Sequence, residues 1–283
     1  MSKLLRANFV RLRKMKSFWI GMAVLVFYGL FIGWDTVSAI ESHGWETRAV
    51  DIYQTTCSTT LVFGLVISIV CSLFVGTEYS DGVIRNKLAT GQKRTVVYLA
   101  DFITCMVMSV LLAVVQYTVC GVYAVAAMGT ELVDWSYLFS LAAVGCLMVM
   151  AYAAIFTFVS MLNSNKTHGV IINMLLYFGI ILFSSYLYSN LSQPEMMEAP
   201  VSMSVVNDSQ IETTVELLEN PYYLEGTKRE IYQFLYDFLP GGQGNQVAGA
   251  EAEKPGLLMG YSALLTISMN IAGVLLFRRK DIK

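Results

Sequence analysis

The sequence predicts an all-α membrane protein with six transmembrane helices, and three observations carry that reading. Hydrophobic residues fill 55% of the 283 positions against 14% charged, with a mean hydropathy of +0.56. Long runs free of Asp, Glu, Lys and Arg recur, and about 20 residues suffice to cross a hydrocarbon core about 30 Å thick. The charges, −2 in sum, are segregated along the chain instead of mixed. A soluble chain of this length needs more charge to cover its surface.

Spans are expected at Phe18 to Thr36, Thr56 to Gly76, Val97 to Met128, Trp135 to Leu162, Gly169 to Tyr188 and Gly256 to Phe277. The third and fourth runs exceed what a bilayer needs, so those helices tilt or project beyond it. The short polar stretch Asn163 to His168 makes the fourth and fifth spans an antiparallel hairpin. The chain thus divides into a cytoplasmic interfacial helix at 1–17 and spans one to five at 18–188, with a structured loop at 77–96. An extracellular helical region at 189–255 follows, then span six and a basic tail at 256–283.

Basic residues set the orientation. Lys3, Arg6, Arg11, Arg13, Lys14 and Lys16 precede the first span, and Arg85, Lys87, Lys93 and Arg94 lie between the second and third. Lys166, Arg278, Arg279, Lys280 and Lys283 fall on the same side. Fifteen of the 19 Lys and Arg therefore share one side, the cytoplasmic one by the positive-inside rule. The opposite loops carry Asp35, Glu41, Glu46, Asp51, Glu131, Asp134 and eleven further acids between Glu195 and Glu253. Six spans then put both termini in the cytoplasm of a multi-pass protein of the cell membrane. Val37-Ser38-Ala39 faintly resembles a signal-peptide cleavage site, but the apolar run before it is too long for an h-region of about 7 to 15 residues. Cys57, Cys71, Cys105, Cys120 and Cys146 lie in or beside apolar runs with no CxxC, which reads as small buried hydrophobes. His43 and His168 are too far apart to suggest a metal site.

Outside the spans, Leu4, Leu5, Ala7, Phe9, Val10, Leu12 and Met15 alternate with the basic residues in a roughly helical pattern. Such a helix lies in the interface with its cations near anionic headgroups, as a topology anchor or as a contact for a cytoplasmic partner. Thr77 to Tyr98, TEYSDGVIRNKLATGQKRTVVY, is the most informative stretch. Ser80 or Asp81 is expected to cap a two-turn helix with Val83, Ile84 and Leu88 as its apolar side, and Gly91 to stop it. The region 189–255 is short for an independent core. It holds two helical patterns, Gln210 to Leu218 and Thr227 to Leu239, separated by Asn220-Pro221. The second places Ile231, Phe234, Leu235 and Phe238 at i, i+3, i+4 and i+7, beside Tyr232 and Tyr236, and stops at Pro240-Gly241-Gly242. It reads as a lid over an exit or as a plain surface cap.

No span carries a charge in its central portion, and Asp101 is expected near the cytoplasmic interface. Ion-coupled transporters need intramembrane ionisable groups. HExxH, paired-Glu, Ser-Lys and P-loop signatures are absent as well, which argues against an intramembrane hydrolase and against ATP binding by this chain. The neutral groups Gln116, Asn173, Ser184, Ser185 and Asn270 are expected to bond to neighbouring helices.

Glu78-Tyr79-x-x-Gly82-x-Ile84-Arg85-Asn86-Lys87-Leu88, then Gly91-x-x-Arg94, carry a resemblance. With the basic start and the closing Phe277-Arg278-Arg279-Lys280-Asp281-Ile282-Lys283, the chain resembles the permease subunit of ABC-2 type transporters over nearly its whole length. The resemblance implies a coupling helix seated in an ATP-binding subunit, built from Glu78, Tyr79, Asp81, Gly82, Arg85, Asn86, Lys87, Leu88, Gly91 and Arg94. Arg85 and Lys87 would be leading contacts, and Glu78 would pair with a basic group of the entry helix or of the partner. It implies two permeases with two ABC ATP-binding subunits, which hold ATP and Mg, while this chain itself holds no cofactor and is no enzyme. A path between the permeases, lined partly by spans two and five, makes Phe63, Phe74, Asn173, Tyr177, Phe178 and Phe183 candidates. Length and outer region resemble exporters of amphipathic peptides, of phenol-soluble-modulin or lantibiotic-immunity type. Related permeases export drugs, ions or lipid-linked molecules. Expected partners are therefore the ATP-binding subunit, a second permease, membrane lipids and an amphipathic peptide, with no nucleic acid. The competing reading from another class is a membrane sensor or scaffold that holds a cytoplasmic partner on the same loop.

Overall fold

Inside a bilayer every backbone N–H and C=O must find its partner within the protein, so long apolar runs become helices. The computed structural model describes residues 1–198, 202–205, 211–214 and 217–280. Six helical segments are long and apolar enough to cross a membrane: α2 (Lys16–His43), the pair α3 (Ala49–Cys57) and α4 (Thr60–Ser80) taken as one, α6 (Arg94–Met128), α7 (Trp135–Leu162), α8 (Lys166–Leu191) and α11 (Pro255–Arg279). The protein is thus an all-α membrane protein with the expected number of spans. Two short helices lie at one end of the bundle, α1 (Ser2–Lys14) before the first span and α5 (Val83–Ala89) between the second and third. The opposite end carries α9 (Gly226–Phe238) and α10 (Pro240–Gly249).

The spans of α4, α6 and α7 form the buried centre, while those of α2, α8 and α11 are mostly exposed. The exposed faces are themselves apolar, with Phe27 and Trp34 on α2, Leu175 and Leu182 on α8, and Ile267 and Ile271 on α11. Helices apolar all round suit a hydrocarbon solvent. Glycines let the aromatic residues seat deeply between helices. Gly64 of α4 lies against the Tyr177 ring of α8, and Gly273 of α11 against the Tyr98 phenol of α6.

Three features differ from expectation. The second span is interrupted after Cys57, within the run Thr55 to Thr60. Hydroxyls there bond back to the chain, Thr56 Oγ1 to the Ile52 carbonyl at 2.8 Å and Ser58 Oγ to that of Thr55 at 3.3 Å, and so compete with the helical ladder. The second feature is that the helix expected over Gln210 to Leu218 does not form. Its described residues belong to strands β3 (Ile211–Thr214) and β4 (Leu217–Glu219), paired antiparallel with β2 (Ser202–Val205) and β1 (Met196–Glu198), respectively. In sequence, Ile211, Thr213, Val215 and Leu217 alternate with polar neighbours and are rich in β-branched types, which favours strand over helix for β3 and β4. Gln210, Val215 and Glu216 of that stretch, and Asp281 to Lys283 of the closing motif, lie outside the described residues.

The third difference is α10. Pro240-Gly241-Gly242 ends α9 as expected, but only the single extended residue Leu239 separates it from a new buried helix. Pro240 is tolerated at the first helical position, where its missing N–H has no intrahelical role. The glycines bring α10 against Ile180 and Ser184 of α8 and Met148 of α7. Gln243, fully buried, donates to the Asp237 and Leu258 carbonyls at 2.9 and 3.3 Å and accepts from Ser262 Oγ at 2.5 Å, so its amide is satisfied inside the bundle. A helix re-enters the bundle where the sequence suggested only a stop.

Replacing Gly273 with leucine puts a side chain onto the fully buried Tyr98 ring, which has no room to yield. Overpacking of this kind costs about 1–3 kcal/mol. Thermal unfolding in detergent is expected to show a lower midpoint for Gly273→Leu, and an unchanged midpoint would rule out this packing.

Candidate functional site

The α1/α5 end of the bundle concentrates ionisable groups where four elements meet. Gly82, in the left-handed region at φ 69°, turns the chain out of α4 and serves as N-cap of α5. Ser80 still belongs to α4, so neither Ser80 nor Asp81 caps the short helix as expected. Gly91, at φ 83°, donates to the Leu88 carbonyl at 3.0 Å and ends the segment. Both positions require a conformation costly for residues with a Cβ. Ile84 is buried, Val83 partly so, and Leu88 packs on the core, while Arg85 and Asn86 are exposed.

Lys87 turns inward. Its Nζ donates to both oxygens of Glu78 at 2.7 Å, to Asp101 Oδ1 at 3.1 Å and to Asn8 Oδ1 at 3.3 Å. Asn8 of α1 in turn donates to Asp101 Oδ1 at 2.7 Å and to Thr104 Oγ1 at 3.3 Å. Arg11 of α1 pairs with Glu78, donates to the Phe74 carbonyl, and lies over the Phe74 ring with its guanidinium carbon 4.1 Å from the centroid. Glu78 and Asp101 are both 0% exposed. Two cations face two carboxylates, so with all four ionised the cluster is neutral and unites α1, α4, α5 and α6.

A second joint ties in the end of α11. Tyr79 Oη donates to the Met161 carbonyl at 2.6 Å. Lys280 Nζ donates to Tyr79 Oη at 3.0 Å and to the same carbonyl at 2.9 Å, and sits 4.3 Å from the Tyr79 ring centroid. Arg94 Nη1 donates to the Lys280 carbonyl and, at 3.5 Å, to that of Phe277. Both chain ends therefore converge around α5.

With that geometry in place, the comparison with family models finds a match to the family described as ABC-2 family transporter protein over residues 4–180. The chain belongs to the ABC-2 transporter family. A search of curated proteins finds no match. Being an ABC-2 protein makes the chain a transporter's membrane subunit, of a kind that associates with an ABC ATP-binding subunit. The match runs from α1 through most of α8 and includes the whole charge cluster, while α9, α10 and α11 lie beyond it.

Among the residues expected to contact an ATP-binding subunit, this ABC-2 subunit presents Asp81, Arg85, Asn86 and Gly91 on its surface. Glu78, Tyr79, Lys87 and Arg94 instead hold the subunit's own helices together. Asp101, expected near the interface, is wholly buried under α1 and α5. Sequence reasoning missed Asn8, although Leu4, Asn8 and Leu12 share one helical face and Leu12 is buried.

The candidate path residues do not converge on one route within the subunit. Phe63 packs edge-on against Tyr117 at 5.4 Å, and Phe74 lies beneath Arg11. Asn173 is buried and donates to Ser72 Oγ at 2.6 Å, Ser160 Oγ at 2.8 Å and the Phe156 carbonyl at 3.1 Å, a junction of α4, α7 and α8. Tyr177 donates to the Leu61 carbonyl at 2.6 Å. Only Phe178 and Phe183 are exposed, on α8. Of the neutral polar groups expected to bridge helices, Asn173 does so. Gln116 and Asn270 bond within their own helices, to Cys120 Sγ and the Thr266 carbonyl. On α9, Phe234 and Phe238 stack at 5.7 Å and both meet Tyr261 of α11 edge-on, whereas Ile231 is exposed and Leu235 leans on Leu187, Leu191 and Tyr236. The helix expected as a lid or a surface cap packs against α8 and α11 with its other side exposed.

Removing the central cation leaves two buried carboxylates facing each other. Lys87→Met is expected to destabilise the protein by about 3–5 kcal/mol, as for other buried pairs broken on one side. Adding Glu78→Gln and Asp101→Asn should recover much of the loss. Denaturation in detergent measures both, and equal stability of Lys87→Met and wild type would exclude the cluster.

Burial lowers the Lys280 ammonium from its ordinary 10.5 to about 8. Between about pH 8 and 10.5 the unfolded chain therefore holds a proton that the folded chain has lost, and stability gains with rising pH. The unfolding midpoint of wild type should rise across that window relative to Lys280→Gln, and parallel curves would contradict this placement.

Proposed function

We propose that this ABC-2 subunit is the non-catalytic permease half of an ATP-driven exporter in the cell membrane, with the α1/α5 end in the cytoplasm and α5 as its coupling helix. The observation that carries the reading is a seven-residue helix fixed from beneath by Lys87 and Ile84 while it offers Arg85 and Asn86 outward. A solvated connector has no need of such anchoring. The positive-inside rule favours the same orientation, since fifteen of the 19 Lys and Arg fall before the first span, between the second and third, between the fourth and fifth, or after the last.

In this reading α1 lies along the cytoplasmic interface, and two permeases associate with two ATP-binding subunits that supply ATP and Mg. Closure of the ATP-binding subunits pushes on α5. The rigid cluster beneath it then moves α4 and α6 together, because Glu78 and Asp101 hold the same ammonium. The cargo is an amphipathic peptide. Phe178 and Phe183, exposed on α8, give the interface between two permeases an aromatic, uncharged wall suited to it, and α9 with α10 controls the outer exit.

Charge reversal at the exposed Arg85 tests the coupling role. Arg85→Glu in the complex reconstituted with its ATP-binding subunit is expected to lower ATP-dependent movement of a fluorescent amphipathic peptide at least tenfold. Full transport by the variant would overturn α5 as the coupling element. A wild-type complex that hydrolyses ATP but moves no peptide would overturn the cargo alone.

A further inference from the structure

At the end of the bundle opposite α5, where α9 gives way to α10 and α10 leads into α11, lies a cavity of about 450 Å³. Tyr236, Asp237 and Gln246 line it together with Glu251, Glu253 and Lys254 from the turn before α11. Three carboxylates face one ammonium, an excess of two negative charges. Tyr236 is only 5% exposed, its ring is held beside that of Tyr188 at 5.9 Å, and its Oη makes no hydrogen bond of normal geometry among the described residues, although the Asn245 side chain lies near it. A buried hydroxyl left in that state marks a place where a partner is missing.

Asp237 is under-compensated too. Gln233 and Gln246 donate to its Oδ1 at 3.0 and 2.9 Å, but both donors are neutral amides. Burial raises the carboxyl above its ordinary range in spite of these bonds and of nearby Lys254. Burial likewise raises the Tyr236 phenol, partly opposed by the Asn245 side chain, with the Glu251 and Asp237 carboxylates adding to the rise. A cation set in the cavity would relieve both groups at once.

The described carboxylates do not converge closely enough to form a metal-ion cluster. A spread-out set of acids, with a phenol ring and Leu258 between them, matches a cation whose charge rides on an apolar stem. An alkylammonium donates three charge-assisted bonds and lays its methylenes on the apolar wall. We propose that this cavity is a binding site for primary alkylammonium groups. Three sources carry that group: a lysine side chain of a peptide, a free diamine and the headgroup of phosphatidylethanolamine. The peptide as natural source rests on the export reading given above. The site itself does not, because it is tested without ATP, partner or transport.

The full chain in phosphatidylcholine nanodiscs is titrated calorimetrically with 1,5-diaminopentane, and with a lysine-bearing amphipathic peptide and its fully acetylated form. Saturable heat with the diamine and the unmodified peptide, lost on acetylation, is expected. Glu251→Gln combined with Glu253→Gln should weaken binding at least tenfold, Tyr236→Phe a few-fold, while Lys254→Gln should strengthen it several-fold by removing the resident competitor. That last gain cannot arise from misfolding. Nanodiscs containing phosphatidylethanolamine identify the lipid as the source if they abolish the diamine signal, and leave the peptide or diamine as the source if they do not. Absence of saturable binding for both amines in phosphatidylcholine, or affinities indifferent to the glutamine substitutions, would overturn the site.

Discussion

Burying two carboxylates at the end of a helical bundle is tolerable only if most of their lost hydration is replaced, and the Lys87 ammonium is the one group that serves both, bonding Glu78 through two oxygens and Asp101 through Oδ1. Born-type desolvation leaves a penalty of several kcal/mol for each ion even after relaxation. Lys87 of α5 reaches Glu78 in the last turn of α4 and Asp101 in the early turns of α6, so the chain must fold back between the two. That requirement explains the left-handed turns at Gly82 and Gly91 and the brevity of α5. Arg11 supplies the remaining charge, and in doing so fixes α1 across the ends of α4 and α6. The cluster specifies one arrangement of four helices, since any slip exposes an unpaired charge to low dielectric.

Opposite α5 the bundle solves its polar problem without ion pairs at its heart. There α10 enters the bundle bearing amides, and Gln243 bonds to α9 and α11 together. Tyr137 of α7 donates to the Ala250 carbonyl at 2.8 Å, and Gln54 of α3 to the Gly249 carbonyl at 3.0 Å, so the end of α10 is received by two spans. Around this lie aromatic contacts, Tyr186 with Tyr232 and Tyr261 with Phe234 and Phe238. Separating one partner from a buried charge pair costs more than breaking a neutral hydrogen bond or a ring contact. The bundle is therefore locked more firmly at the end where α5 sits.

Much of this architecture is legible in the chain because hydrocarbon is a simple solvent: an uncharged run must be a helix, and its length must match the bilayer. The short helix at Val83 is legible too, through glycines at both flanks and an apolar side. What escapes is any feature that depends on which neighbours meet. Lys87 and Arg85 look alike in sequence, two positions apart on a basic loop, yet one is sequestered by Glu78 and the other is exposed. Asp101 reads as interfacial because a lone acid near a span's start usually reaches water; here α1 and α5 cover it. Pro240-Gly241-Gly242 reads as a stop because each residue weakens a helix in isolation, whereas packing against α7 and α8 rewards the absence of side chains. The strands near Thr213 failed for a different reason, a helical period being assigned to a stretch whose alternation has period two.

These contrasts bear on how motion could pass through the protein. Rigid transmission needs an element that cannot shift alone, and α5 meets that condition because Ile84 and Lys87 anchor it to α4 and α6 while the C-terminal joint at Tyr79 and Lys280 braces α7 and α11. A force applied at the exposed side of α5 is thus shared by the buried centre, α4, α6 and α7. Yielding must then occur farther along. The interruption after Cys57 and the glycine-lined seat of α10 lie in that direction, and both are held by neutral hydrogen bonds. Under the proposed coupling role of α5, a push there would meet the charged end first and pass to the break in the second span and the seat of α10, where neutral hydrogen bonds are the ones to rearrange.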